Sequence, residues 1–192
     1  MARVSLDPPK TLTYRAAAWF SRRQFGMVID PLSAITHHGP VTRSYGRFGM
    51  AAQRWRKLDT GLKDLATMAA AQTIGCSWCM DFGYWMAVSH GVSAEQIRAV
   101  PTWRDSDQFT ELERLVLEYA EAMTVTPPAV TDELTAGLRR HLSDAQLVEL
   151  TAVVAIENLH SRINTALGLT SQGFKDKCEL APAGPAGTSA GG

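Results

Sequence analysis

The sequence has little that would build a sheet: no convincing run of alternating β-branched and polar residues can be found in it. It has no surplus of either charge. Nineteen basic residues meet nineteen acidic ones, so there is no electrostatic case for binding nucleic acid or an anionic membrane. No apolar run approaches the roughly 18–20 residues of a membrane span. The segment Met1–Pro9 lacks a secretory hydrophobic core, which makes the cytoplasm the default expectation. A Gly-rich phosphate loop, a G-x-S-x-G elbow and glycosidase-type paired carboxylates are all missing. So is any repeat at solenoid spacing. Three cysteines are too few for an extracellular disulfide framework, and in a reducing compartment a close pair reads as catalytic or metal-binding.

What is present is a soluble globular composition, 45% hydrophobic and 20% charged over 192 residues, with repeated helix signals. A helix is expected over Thr11 to Phe25, ended by Gly26. Pro31 opens a short one that stops by Gly39-Pro40, and another follows from about Val41 to Leu58. The core begins at Asp59 or Thr60, with Leu62, Leu65, Ala66 and Ala69 on one stripe. Ser93-Ala94-Glu95-Gln96 and Thr110-Glu111-Leu112-Glu113 read as capping boxes. The first helix stops at Pro101 and the second before Pro127-Pro128. Thr131 to His141 makes a further helix, and Ser143 opens the longest, through Leu150, Val154, Leu159 and Ile163 to Gly168. The expectation is an all-α fold of eight or nine helices. A helical arm (1–39), a helical domain (40–178) and a disordered Ala/Pro/Gly-rich tail (179–192) divide the chain.

The stretch with chemistry in it is Gly75-Cys76-Ser77-Trp78-Cys79-Met80-Asp81-Phe82. Cysteines three apart share one side of a helical turn, with Cα atoms about 5–6 Å apart, within disulfide reach. Gly75 breaks the Ala-rich run before them, and Trp78, Phe82 and Trp85 keep a helical rhythm after them. The pair therefore falls at a helix start, where unpaired N–H groups and the dipole favour thiolate. Three readings stand side by side: a redox dithiol, two buried thiols, or a zinc site, for which no second CxxC or HxxxH supplies the remaining ligands. The aromatic trio reads either as core packing or as the wall of an apolar pocket beside the sulfurs. Asp64 reads as an ion-pair partner of Lys63, Lys57 or an N-terminal arginine, or as a proton store. His160 reads as a core or interface histidine or as a relay, the Arg54–Lys57 run as a solvated face or an oligomer contact, and Cys178 as a bystander.

With those residues in view, the chain resembles the carboxymuconolactone decarboxylase superfamily, and within it the alkyl hydroperoxidase D-like branch. Asp64-Leu65-Ala66, Gln72 to Phe82, Ser93 to Ile97, Glu157 to Leu169 and Gln172-Gly173-Phe174 carry the resemblance, which spans roughly residues 40–178. It implies a helical hairpin around the dithiol and a homo-oligomer, often a trimer or hexamer. It also implies a cycle reducing small hydroperoxides or disulfides at the expense of a thiol reductant, with no cofactor and no metal. In that branch the second cysteine attacks, the first resolves, and an acid and a histidine relay a proton. Cys79, Cys76 and Asp64 take the first three places, Asp64 being one methylene shorter than the usual glutamate. The histidine's place falls on Gly83.

A hairpin turning near Ile74-Gly75 sets Asp64 level with Gly83 to Trp85, about 6 Å along the axis from Cys79. The space above Gly83 is expected to hold a ring from another helix or subunit, with His160, His37 or His38 as candidates. His90 is about 16 Å from Cys79 along the helix, too far to serve it. If the relay is lost altogether, the alternative is a redox-sensing or scaffolding oligomer. Lactone decarboxylation has only the superfamily's name behind it, since the true decarboxylases are not built around a CxxC.

Overall fold

The computed structural model describes residues 1–179, with backbone alone for 177–179, and its regular structure there is all helix. Apart from Glu179, the expected tail lies outside the described residues, as does the side chain of Cys178.

Local capping chemistry sets most of the helix ends. α1 (Leu12–Phe25) starts where Thr11 accepts the Tyr14 N–H and stops at Gly26, whose φ of 76° suits a residue without Cβ. α2 (Asp30–Ile35) has Pro31 in its first turn. α3 (Gly39–Ala52) departs from expectation at both ends. Gly39-Pro40 opens it rather than stopping α2, because a proline in the first turn needs no N–H partner and His38 Nδ1 caps the Val41 N–H. It ends at Ala52, not Leu58, since the segment beyond is drawn to buried Glu149. One carboxylate oxygen of Glu149 accepts the Lys57 N–H at 2.7 Å, and the other pairs with Lys63 at 3.1 Å.

α4 (Thr60–Ile74) is the central helix and packs against α5 (Ser77–Ser89), α7 (Glu111–Thr124) and α9 (Asp144–Ala166). Leu62, Leu65, Ala66, Met68, Ala69, Ala70 and Ala71 are all buried; the alanines let neighbouring helices approach from several sides. α6 (Ala94–Ala99) ends just before Pro101, as expected, and the chain goes on as a 3-10 helix, Val100–Asp105. α8 (Asp132–Arg139) follows α7. Complete capping boxes start α7 at Thr110 and α9 at Ser143, whereas Ser93 makes only the single bond to the Gln96 N–H.

A tenth α-helix, α10 (Phe174–Glu179), was not expected. Its start is held from a distance: the Asp81 carboxylate accepts the N–H groups of Gln172, Phe174 and Lys175 at 2.7–3.1 Å. Burial opposes that charge, yet the backbone donors hold the Asp81 carboxyl below its ordinary value. Trp78 stacks on Phe82 at 4.9 Å, and Phe25 and Phe174 meet Phe82 edge-on at 5.3 and 5.1 Å. These rings dock α1 and α10 onto α5. Among the described residues no helix is long and apolar enough to cross a membrane.

Candidate active site at the start of α5

Gly75, at φ 78°, ends α4, and Cys76 is the N-cap of α5. The Cys76 sulfur accepts the Cys79 N–H at 3.2 Å, so a sulfur stands where a serine or aspartate oxygen usually caps. Cys76 and Cys79 are joined as a disulfide with Cα atoms 5.3 Å apart, inside the range expected from the spacing. Both are buried, at 1% and 4% exposure, and Ala71, Trp78, Ile29 and Phe82 belong to the same apolar cluster. Trp78 and Phe82 therefore pack beside the sulfurs, and with Trp85 they dock neighbouring helices, the core-packing role.

One polar group reaches the pair from another helix. Asn164 of α9 donates from Nδ2 to the Cys79 sulfur at 3.3 Å. Its Oδ1 is buried and accepts no hydrogen bond from any described residue. Seven residues back on the same face is Glu157, whose Oε1 accepts the Ser161 hydroxyl at 2.5 Å. Glu157, Ser161 and Asn164 are 6%, 0% and 2% exposed. Burial raises the Glu157 carboxyl to about 8, against the pull of the Ser161 hydrogen bond, so it is neutral at pH 7. Burial also lowers the half-buried His160 to about 4. Its Nδ1 is 3.9 Å from Glu157 Oε2, a contact between two neutral groups at pH 7 rather than an ion pair. The Tyr45 ring of α3 lies 5.2 Å from the His160 ring, and burial followed by the nearby Glu157 raises the Tyr45 hydroxyl.

Asp64 is not brought to the sulfurs. Its Oδ2 is 2.8 Å from His90 Nδ1, at the far end of the hairpin, and Lys63 is committed to Glu149 instead. His90 is eleven residues beyond Cys79, about 16 Å along α5, and Asp64 is remote with it. Burial raises the Asp64 carboxyl above its ordinary value, opposed by the hydrogen bond and charge of His90. The expected level at Gly83–Trp85 fails because Gly75 and Cys76 belong to the turn, which shifts the two helices' register.

No histidine fills the space above Gly83. A Cβ there would be 2.8 Å from the Met68 sulfur, so the thioether of α4 is what the glycine admits. Of the histidines considered, His37 bonds the Ser5 carbonyl, His38 caps α3, and His160 stands against Tyr45. Among the described residues no three His, Cys, Asp or Glu side chains gather as a metal site.

The α9 row lies in the Glu157–Leu169 stretch that carries the resemblance, yet Glu157, Ser161 and Asn164 take no role from it. From half-buried Leu147, Leu150 and Val154 continue at the same 3–4 spacing into Glu157, Ser161 and Asn164, so an apolar stripe turns polar while its positions from Leu150 on are buried. A charged residue on a core stripe is the available signal.

Against known proteins, residues 40–122 match the carboxymuconolactone decarboxylase family. The uncharacterized protein YnjA of Escherichia coli is 34% identical over 164 residues, 85% of this chain and 90% of its own length. Among solved structures, the debrominase Bmp8 in complex with 2,3,4-tribromopyrrole superposes with a TM-score of 0.79 at 18% identity, covering 92% of this chain and 97% of its own. The alkylhydroperoxidase AhpD core of a peroxidase-related protein from Ralstonia eutropha gives 0.77 at 16% identity, covering 91% and 94%. At that identity the two structures establish the fold alone.

Proposed function

The chain belongs to the carboxymuconolactone decarboxylase superfamily, with the fold of its alkyl hydroperoxidase D-like branch, and on that premise we propose that Cys76 and Cys79 form a thiol peroxidase centre acting on organic hydroperoxides. The single observation behind this is the disulfide at the first turn of α5. Two sulfurs that join without rearranging the backbone can store and release an electron pair. The Asn164 N–H and the start of α5 favour an anionic Cys79 sulfur, as an attacking thiolate needs.

The reaction balances on the two sulfurs. The Cys79 thiolate attacks the distal oxygen of R–O–O–H; an S–O bond forms, the O–O bond breaks, and the alkoxide leaves as the alcohol after taking a proton. Cys76 then attacks the sulfur of the sulfenic acid, forming the disulfide and releasing water. A dithiol reductant restores both thiols by exchange. Trp78, Phe82 and Ile29 pack about the sulfurs, and apolar surroundings of this kind support an organic substituent over hydrogen peroxide itself.

The test is intact mass and turnover on the fully reduced protein. With cumene hydroperoxide each chain is expected to lose two hydrogens, while Cys76→Ser is expected to stop at addition of one oxygen. Supplying dithiothreitol should give multiple turnovers. Stoichiometric oxidation without turnover would replace the enzyme by a redox sensor, and a mass unchanged by any hydroperoxide would end the reading.

A further inference from the structure

The reaction just described needs a proton for the departing alkoxide, and the hairpin does not supply one near the sulfurs. Asp64 is engaged with His90 at the other end, and Gly83 faces Met68. Around the disulfide α5 packs Trp78, Met80 and Phe82, and its buried carboxylate, Asp81, is spent on the backbone N–H groups of Gln172, Phe174 and Lys175 and held below its ordinary value. The face that meets Cys79 from outside the hairpin is that of α9, and it carries an acid, a hydroxyl and an amide in succession.

We propose that Glu157 is the general acid of this site, passing its proton through the Ser161 hydroxyl to the leaving oxygen, with Asn164 as the positioning residue that holds the distal oxygen beside the Cys79 sulfur. This rests on the reading of Cys79 as the attacking sulfur. Three observations carry it. The Ser161 hydroxyl already touches Glu157 at 2.5 Å, and both are withdrawn from solvent; for the transfer the protonated carboxyl donates its O–H to Ser161 Oγ, which gives its own proton to the leaving oxygen. Ser161 and Asn164 are neighbours on one face, with Cβ atoms about 5–6 Å apart, so the two adjacent oxygens of one hydroperoxide can meet both, the distal at Asn164 and the leaving one at Ser161. Asn164 spends its amide N–H on the Cys79 sulfur and leaves its buried Oδ1 without a donor. An amide oxygen that deep requires one, and the terminal O–H of a hydroperoxide supplies it in the orientation that puts the distal oxygen at the sulfur.

Protonation agrees with the geometry. Glu157 holds its proton up to about pH 8 because of burial. The titratable groups that face it are His160 of its own helix, neutral above about pH 4, and Tyr45 of α3, raised beyond its ordinary value. No charged side chain of another helix shifts its carboxyl. In the cycle, Glu157 becomes a carboxylate when the alcohol leaves. It regains a proton from solvent or from the incoming dithiol, whose oxidation frees one proton as the Cys79 thiolate and Cys76 thiol re-form.

The experiment follows single-turnover oxidation of the reduced full-length chain by cumene hydroperoxide from pH 5 to 10, with Cys79 alkylation by iodoacetamide measured in parallel. The wild-type rate should fall above about pH 8 as the acid is lost. Glu157→Gln should lose about 100-fold at pH 7 and lose the alkaline decline, the scale of general acid catalysis, while its alkylation profile stays that of the wild type. Ser161→Ala should fall similarly, and Asn164→Leu should also move the Cys79 alkylation profile to higher pH. Glu157→Gln with the wild-type rate and alkaline limb would overturn the acid alone. Equal collapse of oxidation and alkylation would reduce Glu157 to a structural part and also overturn it. A wild-type dithiol inert to every hydroperoxide would instead sink the peroxidase reading beneath it. Should Glu157→Gln not fold, infrared spectra of the wild type decide: a protonated-carboxyl band at pH 7 that disappears above pH 8 supports the acid, and its absence at pH 7 refutes it.

Discussion

A buried acid that keeps its proton to about pH 8 leaves a signature in folding that does not depend on any substrate. In the unfolded chain Glu157 ionises around its ordinary 4.5, and in the native fold burial moves this to about 8. Between those values the native state binds a proton that the unfolded state has released, so stability falls as pH rises. The gap corresponds to about 5 kcal/mol when complete above pH 8, and to about 3 kcal/mol at pH 7, at about 1.4 kcal/mol per pH unit. That is a large part of the roughly 5–15 kcal/mol a domain has in total. Glu157→Gln keeps an acceptor for Ser161 and removes the titration. Urea unfolding of both proteins from pH 4.5 to 9 should show the variant's advantage growing by about 3 kcal/mol from pH 4.5 to 7 and levelling above pH 8. A difference between variant and wild type that stays flat across this range would refute a neutral buried Glu157, and the proton donor with it.

Two further substitutions test the packing that frames the site. Gly83→His restores a histidine at the position where the resemblance places the relay, but its ring must displace the buried Met68 thioether, 2.8 Å from the Cβ position. A loss of about 1–3 kcal/mol in urea unfolding is expected, with no gain in oxidation rate; a faster, equally stable variant would contradict the Met68 assignment. Gln172→Leu removes the acceptor shared by the Asp30 N–H and the Trp78 indole N–H, each at 2.8 Å. Leaving two donors unsatisfied should cost about 1–3 kcal/mol each and speed protease cleavage within α1 and α2, whereas unchanged cleavage would show that Gln172 does not hold the arm.

Where the fold was legible in the sequence, the signal was local. Thr11, Asp59, Thr110 and Ser143 announce helix starts because each side chain caps the backbone N–H three residues on. Gly26 and Gly75 announce ends because the backbone there takes a positive φ. Where the reading failed, the cause was a distant partner. α3 stops early because Glu149, 92 residues beyond Lys57, claims the chain that follows it. α10 forms because the Asp81 carboxylate, more than 90 residues upstream, supplies the cap its own sequence lacks. Neither pairing leaves a periodic trace that one sequence can reveal.

The site divides in the same way. Spacing along the chain placed the disulfide well, since both cysteines lie in one turn and nothing else must be known. It placed Asp64 poorly, because eleven intervening residues cross a turn whose two residues, Gly75 and Cys76, reset the register between α4 and α5. On α4, Ala71 packs with the sulfur pair and Met68 lies against Gly83; neither carries an exchangeable proton. The Asp81 carboxylate of α5 is spent on the α10 backbone, so the proposed donor lies on α9, whose Asn164 side chain touches the Cys79 sulfur. Three polar residues on its buried stripe would weaken an ordinary core, where each unsatisfied polar atom opposes folding. α9 meets each of its buried polar side chains with a partner: Glu149 takes the Lys57 N–H and Lys63, Glu157 takes the Ser161 hydroxyl, and Asn164 reaches the Cys79 sulfur.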